Sequence, residues 1–175
     1  MKRIYQLLII VALLAFAVGC EENVTEKEPG IVGYVMNKSD QGILVVSTEA
    51  QDFSETGGVS EFYDAIWFSG EAEDIGKISV GDKVKVWYDV VMESYPGQST
   101  AERIEVIPSA QPEGANLTEA QAIANALKDE QLEESNPYAV KAISYIQNEG
   151  IWKVELKGLL TDKDEIKEIL VKDQK

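Results

Sequence analysis

Three groups of residues have types suited to chemistry or binding. Cys20 is the sole cysteine and closes an apolar run through the small residues Ala17-Val18-Gly19. With no second cysteine it cannot form an internal disulfide. The aromatic residues Phe62, Tyr63, Trp67, Trp87, Tyr88 and Tyr95 fall within one stretch of the chain. In Lys83-Val84-Lys85-Val86-Trp87-Tyr88 a two-residue period puts Val84, Val86 and Tyr88 on one face, and Lys83, Lys85 and Trp87 on the other. An exposed indole between two lysines would offer stacking and a local positive spot. Trp67, Trp87, Tyr95, Lys83 and Lys85 are therefore the candidate ligand-contacting residues, centred on Trp87 and the Tyr95-Pro96-Gly97 loop. The competing reading is that any one of these rings fills a barrel end or covers an outer wall.

The third group is acidic: Glu71-Glu73-Asp74, Asp129-Glu130 and Glu133-Glu134. Calcium needs six or more oxygens from a shaped loop, and EF-hand spacing is absent, so these read as solvated faces. Nothing sets two carboxylates across a cleft for glycoside hydrolysis. Gly57-Gly58 lacks the lysine and the strand-to-helix setting of a phosphate-binding loop. The chain has no histidine, which removes the commonest general base and transition-metal ligand, and with them any Ser-His-Asp or Cys-His arrangement. No metal or cofactor is expected. A formal net charge of −15 lacks the basic footprint that nucleic-acid binding requires. It favours cationic partners such as metal ions, basic peptides or amine-bearing wall polymers.

The elements that must position these groups begin with an export leader. Lys2 and Arg3 precede the apolar run Leu7–Phe16, which then ends at Gly19-Cys20 and the charged Glu21-Glu22. This order describes a secretory signal peptide over residues 1–19. The run is short for a membrane span, which takes about 20 apolar residues. Residues 20–29 read as a polar tether. Residues 30–108 look all-β, with strands at Ile31–Met36, Ile43–Ser47, Asp64–Ser69, Lys83–Tyr88 and Arg103–Ile107. Met92–Thr100 reads as a turn-forming excursion. Five short strands suit a small closed OB-like β-barrel, since closure removes exposed edges.

Residues 109–116 are a linker by composition. Thr118 and Gln121 form a capping box opening a helix whose stripe is Ala120, Ile123, Ala124 and Leu127. Strands are expected at Tyr138–Gln147, Ile151–Lys157 and Glu168–Val171. Residues 117–175 thus form a small α+β unit, one helix on an antiparallel sheet. The change of period after Pro112 predicts two separately folded units.

Ala17-Val18-Gly19-Cys20 resembles the bacterial lipobox. The resemblance implies a diacylglycerol on the Cys20 thiol, which becomes the new N-terminus and leaves no free thiol. Each buried methylene contributes about 0.8 kcal/mol, and two chains hold stably where one does not. Residues 30–108 resemble the YobA-like lipoprotein domain of Gram-positive bacteria, a domain of unknown function. The resemblance is carried by Gly33, Ala65-Ile66-Trp67-Phe68, Val80–Trp87 and Glu93–Gln98. Residues 117–172 resemble a half domain of the PepSY type through Leu117–Ala124 and Ile151–Leu156. That type is associated with peptidase propeptides and with regulation at the cell surface.

These features lead to an expectation of a non-enzymatic binding or regulatory lipoprotein, held at the outer face of a Gram-positive cytoplasmic membrane. Its partners would be the membrane, through the lipid, and an envelope protein or peptide. A modulator of extracytoplasmic peptidases acting through residues 117–175 is the alternative, and a carboxylate-based hydrolase the least favoured reading.

Overall fold

The computed structural model describes residues 27–70, 75–133, 135–161 and 165–174. The expected signal peptide, Cys20, most of the expected tether and the acidic positions Glu71, Glu73, Asp74 and Glu134 lie outside the described residues. Strands β1 (Ile31–Ser39), β2 (Gly42–Gln51), β3 (Phe62–Ser69), β4 (Lys83–Trp87), β5 (Gly97–Thr100) and β6 (Arg103–Ile107) form a six-stranded sheet in the order β5-β3-β2-β1-β4-β6. Helix α1 (Glu119–Ala126) follows, then β7 (Tyr138–Ile146), β8 (Ile151–Gly158) and β9 (Ile166–Lys172) in an antiparallel three-stranded sheet.

The first sheet differs from a closed five-stranded barrel. Part of the expected excursion is a strand, β5, which runs parallel to β3. β5 and β6 form the two edges of the sheet and are not paired with each other, so the ladder does not close. The physical cause is a change of partner at Ala101-Glu102. The chain pairs with β3 up to Thr100 and antiparallel with β4 from Arg103. Register shifts at Val35/Asn37 and Val46/Ala50 bend β1 and β2. At Gly33 a side chain would run into the Val46 carbonyl, so glycine permits the close approach of β1 to β2.

The sheet has two buried faces over β1–β3. Val35, Ile43, Val45, Phe68, Val84 and Val86 are all fully buried and belong to an inner core that Ile75 and Ile78 also enter. The alternate residues Tyr34, Met36, Leu44, Val46, Tyr63 and Ala65 face outward into a second core. That core is completed by α1 and the three-stranded sheet, through Ile123, Ala126, Val140, Trp152, Leu156 and Ile169. Burying both faces explains why β2 reads Ile43-Leu44-Val45-Val46 without alternation, while β4 alternates.

The capping box forms as its sequence predicts. Gln121 N donates to Thr118 Oγ1 at 3.3 Å, and Thr118 N donates to Gln121 Oε1 at 2.9 Å. The buried stripe is wider than expected. Ala122 and Ala126 are buried with Ala120 and Ile123, whereas Ala124 and Leu127 are half-buried. One side of α1 meets β8 and β9, and the turn at Gly81 approaches the other. Gly81 has φ +92°, and a side chain there would meet the Ala120 carbonyl and the Ala124 amide.

Candidate functional site

The register decides which aromatic rings stay accessible. Trp87 lies across from Arg103, and the guanidinium sits 3.6 Å from the ring centroid. The Trp87 indole N–H donates to the Lys27 carbonyl at 2.6 Å. Trp87 is only 6% exposed, so the expected open indole is covered by Arg103 and by the chain entering β1. Its neighbours are also engaged. Lys85 pairs with Glu105 at 3.0 Å, as their register dictates, and Lys83 lies 5.5 Å from the Tyr34 ring.

Tyr95 is a buttress for its loop. Its hydroxyl donates to the Tyr63 carbonyl at 2.8 Å, and its ring lies 5.3 Å from Phe62. Burial, with the nearby charge of Asp64, pushes the phenol up to about 12. Trp87 and Tyr95 are not brought into one site, because β1 and β2 stand between β4 and β3 in the sheet.

Trp67 has a different setting. It lies on β3 between Leu44 of β2 and Gln98 of β5, on the outward face. It is half-buried, whereas Trp87 and Trp152 are buried. Its ring forms a shared wall of two clefts. The first, of about 680 Å³, lies between the β1–β2 turn, the end of β3 and β5. The hydroxyls of Ser39, Ser69, Ser99 and Thr100 line it, as do the amides of Gln41 and Gln98. Val90 and Met92 complete its wall and are largely exposed. Ser99 Oγ donates to the Val90 carbonyl at 2.7 Å and so holds this loop against β5.

The second cleft, of about 1080 Å³, separates the six-stranded sheet from the segment after α1. Met36, Leu44, Trp67, Leu127 and Leu132 supply its apolar surface. Asp129, Glu130 and Glu133 give it an acidic rim, relieved by Lys128. Asp129, Glu130 and Glu133, read from sequence as parts of solvated faces, therefore edge a cleft.

One electrostatic arrangement, at Glu61, joins the two sheets. Glu61 accepts from Lys157 at 2.8 Å, from Lys141 at 2.9 Å and from the Tyr63 hydroxyl at 2.9 Å. Lys157, then Lys141, hold its carboxyl down at about 2. Asp173 is 6% exposed and accepts from the amides of Asn116 and Leu117, from the Trp152 indole and from the Tyr145 hydroxyl. Burial pushes its carboxyl up, but these donors outweigh it and hold the group below the usual range. Tyr34 donates to Glu119 at 2.6 Å, tying β1 to α1. These groups have their partners within the fold, and their chemistry is structural. Among the described residues no group of three or more acids converges as a metal site.

Sequence reasoning singled out Trp67 but missed Gln41, Gln98 and Ser99. Gly97–Thr100 carries no strand signal of its own, so its pairing beside Trp67 appears only in the structure.

Residues 32–108 match a family described as "Protein of unknown function (DUF3221)". The chain is 28% identical over 113 residues to "Uncharacterized protein YobA" of Bacillus subtilis (strain 168), a match covering 58% of this chain and 94% of that protein. No solved structure matches the chain. The span of the family match coincides with the six-stranded sheet, so this part of the chain is similar to the YobA-like domain of unknown function.

Proposed function

We propose that the protein is a non-enzymatic binding module, anchored by lipid on Cys20 to the outer face of the cytoplasmic membrane, with Trp67 as the ring that contacts its ligand. The observation that carries the binding reading is the position of Trp67. Of three tryptophans it alone is not sealed by neighbouring side chains, and it walls two clefts at once. Large apolar rings beside polar groups in a concave surface are the usual make-up of a binding pocket.

An OB-like barrel accounts for the first sheet. β5 and β6 are successive halves of one path, one on β3 and one on β4. Ala101 N donates to Ser69 O and Glu102 N to Trp87 O, both at 2.8 Å, so the chain itself spans the gap between the edges. In such barrels ligands bind at the face of the second and third strands and the adjoining loops, where Trp67 lies.

Capture from envelope extracts tests the reading. Wild-type protein should retain a component that Trp67→Ala loses and that Trp67→Phe, which keeps a ring packed against the outer core, recovers in part, with both variants still giving a cooperative melt. Equal capture by both proteins would sink it. The anchor is tested separately. Cys20→Ser should release the protein to the medium, and fatty-acid labelling of the wild type should be lost with it. A wild type that takes up no label would rule out the lipid.

A second reading, a modulator of extracytoplasmic peptidases, rests on the PepSY-like unit over residues 117–172. The helix packed on a three-stranded antiparallel sheet is its support. Unchanged peptidase activity in envelope fractions lacking the protein would remove it.

A further inference from the structure

We propose that the smaller cleft beside Trp67 is a site for a neutral saccharide, an inference that rests on the binding-module reading and names its ligand class. The argument begins with charge. More than a quarter of the chain is charged, at 27%, yet none of the described residues lining this cleft is ionisable. The larger cleft on the other side of the same indole carries three carboxylates on its rim. Among the described residues, an ionic ligand would therefore find countercharge in the larger cleft and none in the smaller one. Anionic polymers are repelled further by the net charge of −15.

What the smaller cleft offers is hydroxyls, carboxamides and an indole. Trp67 and Gln98 are direct neighbours across the β3–β5 ladder, so an aromatic surface and a carboxamide sit side by side on rigid strands. The side-chain amides of Gln41 and Gln98 make no hydrogen bond to any described residue and remain available as both donors and acceptors. The hydroxyls are partly spoken for: Ser69 Oγ lies 3.2 Å from Thr100 Oγ1, and Ser99 is turned to the Val90 carbonyl. Each hydroxyl oxygen still has acceptor capacity. A pyranose ring matches this set. Its axial C–H face packs on an indole, and its hydroxyls both donate and accept at the edge. A purely apolar ligand would leave the surrounding amides and hydroxyls unpaired, which costs affinity.

The volume agrees. About 680 Å³ lies within the 300–1,000 Å³ range of small-molecule sites, and the cleft is open enough to let a chain of sugars run past the exposed Val90 and Met92.

The test is titration of the protein with chitotetraose, cellotetraose and mannotetraose, followed by tryptophan emission and calorimetry. At least one should bind saturably, with little change between low and high salt, since no ion pair is involved. Trp67→Ala should weaken that sugar roughly tenfold or more, the equivalent of about 1.4 kcal/mol. Trp67→Phe should restore part of it. Gln98→Ala, at an exposed position, should weaken binding without changing the melt. No saturable binding by any of the three sugars overturns the inference. So does sugar binding that neither variant at Trp67 nor Gln98→Ala alters. If the sugars fail while Trp67-dependent capture from envelope extracts persists, the saccharide is wrong and the binding module stands. If that capture is also indifferent to Trp67, both readings fall together.

Discussion

The two ends of the six-stranded sheet are built differently. At β1–β3 both faces are buried, the inner one on Val35, Ile43, Val45 and Phe68 and the outer one under α1 and the second sheet. At β4 and β6 only the inner face joins a hydrophobic core. There the outer face carries Lys85 paired with Glu105, and Arg103 lying on Trp87. The C-terminal elements thus complete the outer core of one half of the sheet and leave the other half to be covered by long charged side chains. Trp67 lies where the covered zone gives way to open clefts, and Trp87 lies in the zone that salt bridges and the chain entering β1 close off. Accessibility of an aromatic ring depends on this boundary more than on the strand face it occupies.

The largest effect should come from the shared core. Trp152 is 2% exposed within the core that α1 and the second sheet share with the outward face of the first, so Trp152→Ala should destabilise the chain by roughly 3–5 kcal/mol. The loss should appear as a single denaturant transition for the whole chain. Two transitions, with the six-stranded sheet melting as in the wild type, would break the comparison by making the covered half independent of its cover.

Gly81 sharpens it at the joint. A side chain at φ +92° is strained by about 1–3 kcal/mol, and here it would also press on the Ala120 carbonyl. Gly81→Ala should lower stability by at least that amount in a thermal melt. Gly57 is the control, since its φ of +84° is similar but its position is open. Equal losses at the two glycines would mean that the contact with α1 adds nothing.

Glu61 ties the same joint electrostatically, and its effect depends on pH. Its folded carboxyl titrates at about 2, below the value of about 4.3 for a free glutamate. The stabilisation is therefore complete above the unfolded value and is lost as pH falls toward the folded one. Glu61→Gln should cost about 1–3 kcal/mol at neutral pH, because Lys157 then loses a charged partner. The gap between variant and wild type should shrink between about pH 5 and pH 2. A gap that is constant across this window would remove Glu61 as an ionic tie.

The smallest effect belongs to the uncovered end. The Lys85–Glu105 pair is 38% and 51% exposed, so Lys85→Ala should change stability by no more than about 0.5 kcal/mol. A loss of several kcal/mol on urea unfolding would show that this face, too, is an internal one.

Local features were legible in the residues themselves. The capping box at Thr118 and Gln121, the alternation of β4, the β7–β8 hairpin and the strand character of β1–β3 follow from period, turn chemistry and hydrogen-bond partners a few residues away. The unbroken run Ile43–Val46 also held a signal for burial on both faces, since a half-exposed strand would alternate. The parallel strand β5 was not legible. Its four residues, Gly97-Gln98-Ser99-Thr100, have little β propensity of their own and are held by a partner some thirty residues back in the chain.

The candidate site divides the same way. Composition alone removed histidine chemistry and an internal disulfide, because those require residue types that the chain lacks, and its net charge of −15 argued against a nucleic-acid footprint. The alternation of β4 correctly set Trp87 on the face opposite Val84 and Val86, but period says nothing about what lies above a face. Only the tertiary structure brought Arg103 and the Lys27 carbonyl over Trp87, 16 and 60 residues away in sequence, and left Trp67 between two clefts. The physical reason is that burial is a property of non-local neighbours. A strand's own residues decide which way a side chain points, and the rest of the chain decides whether water can reach it.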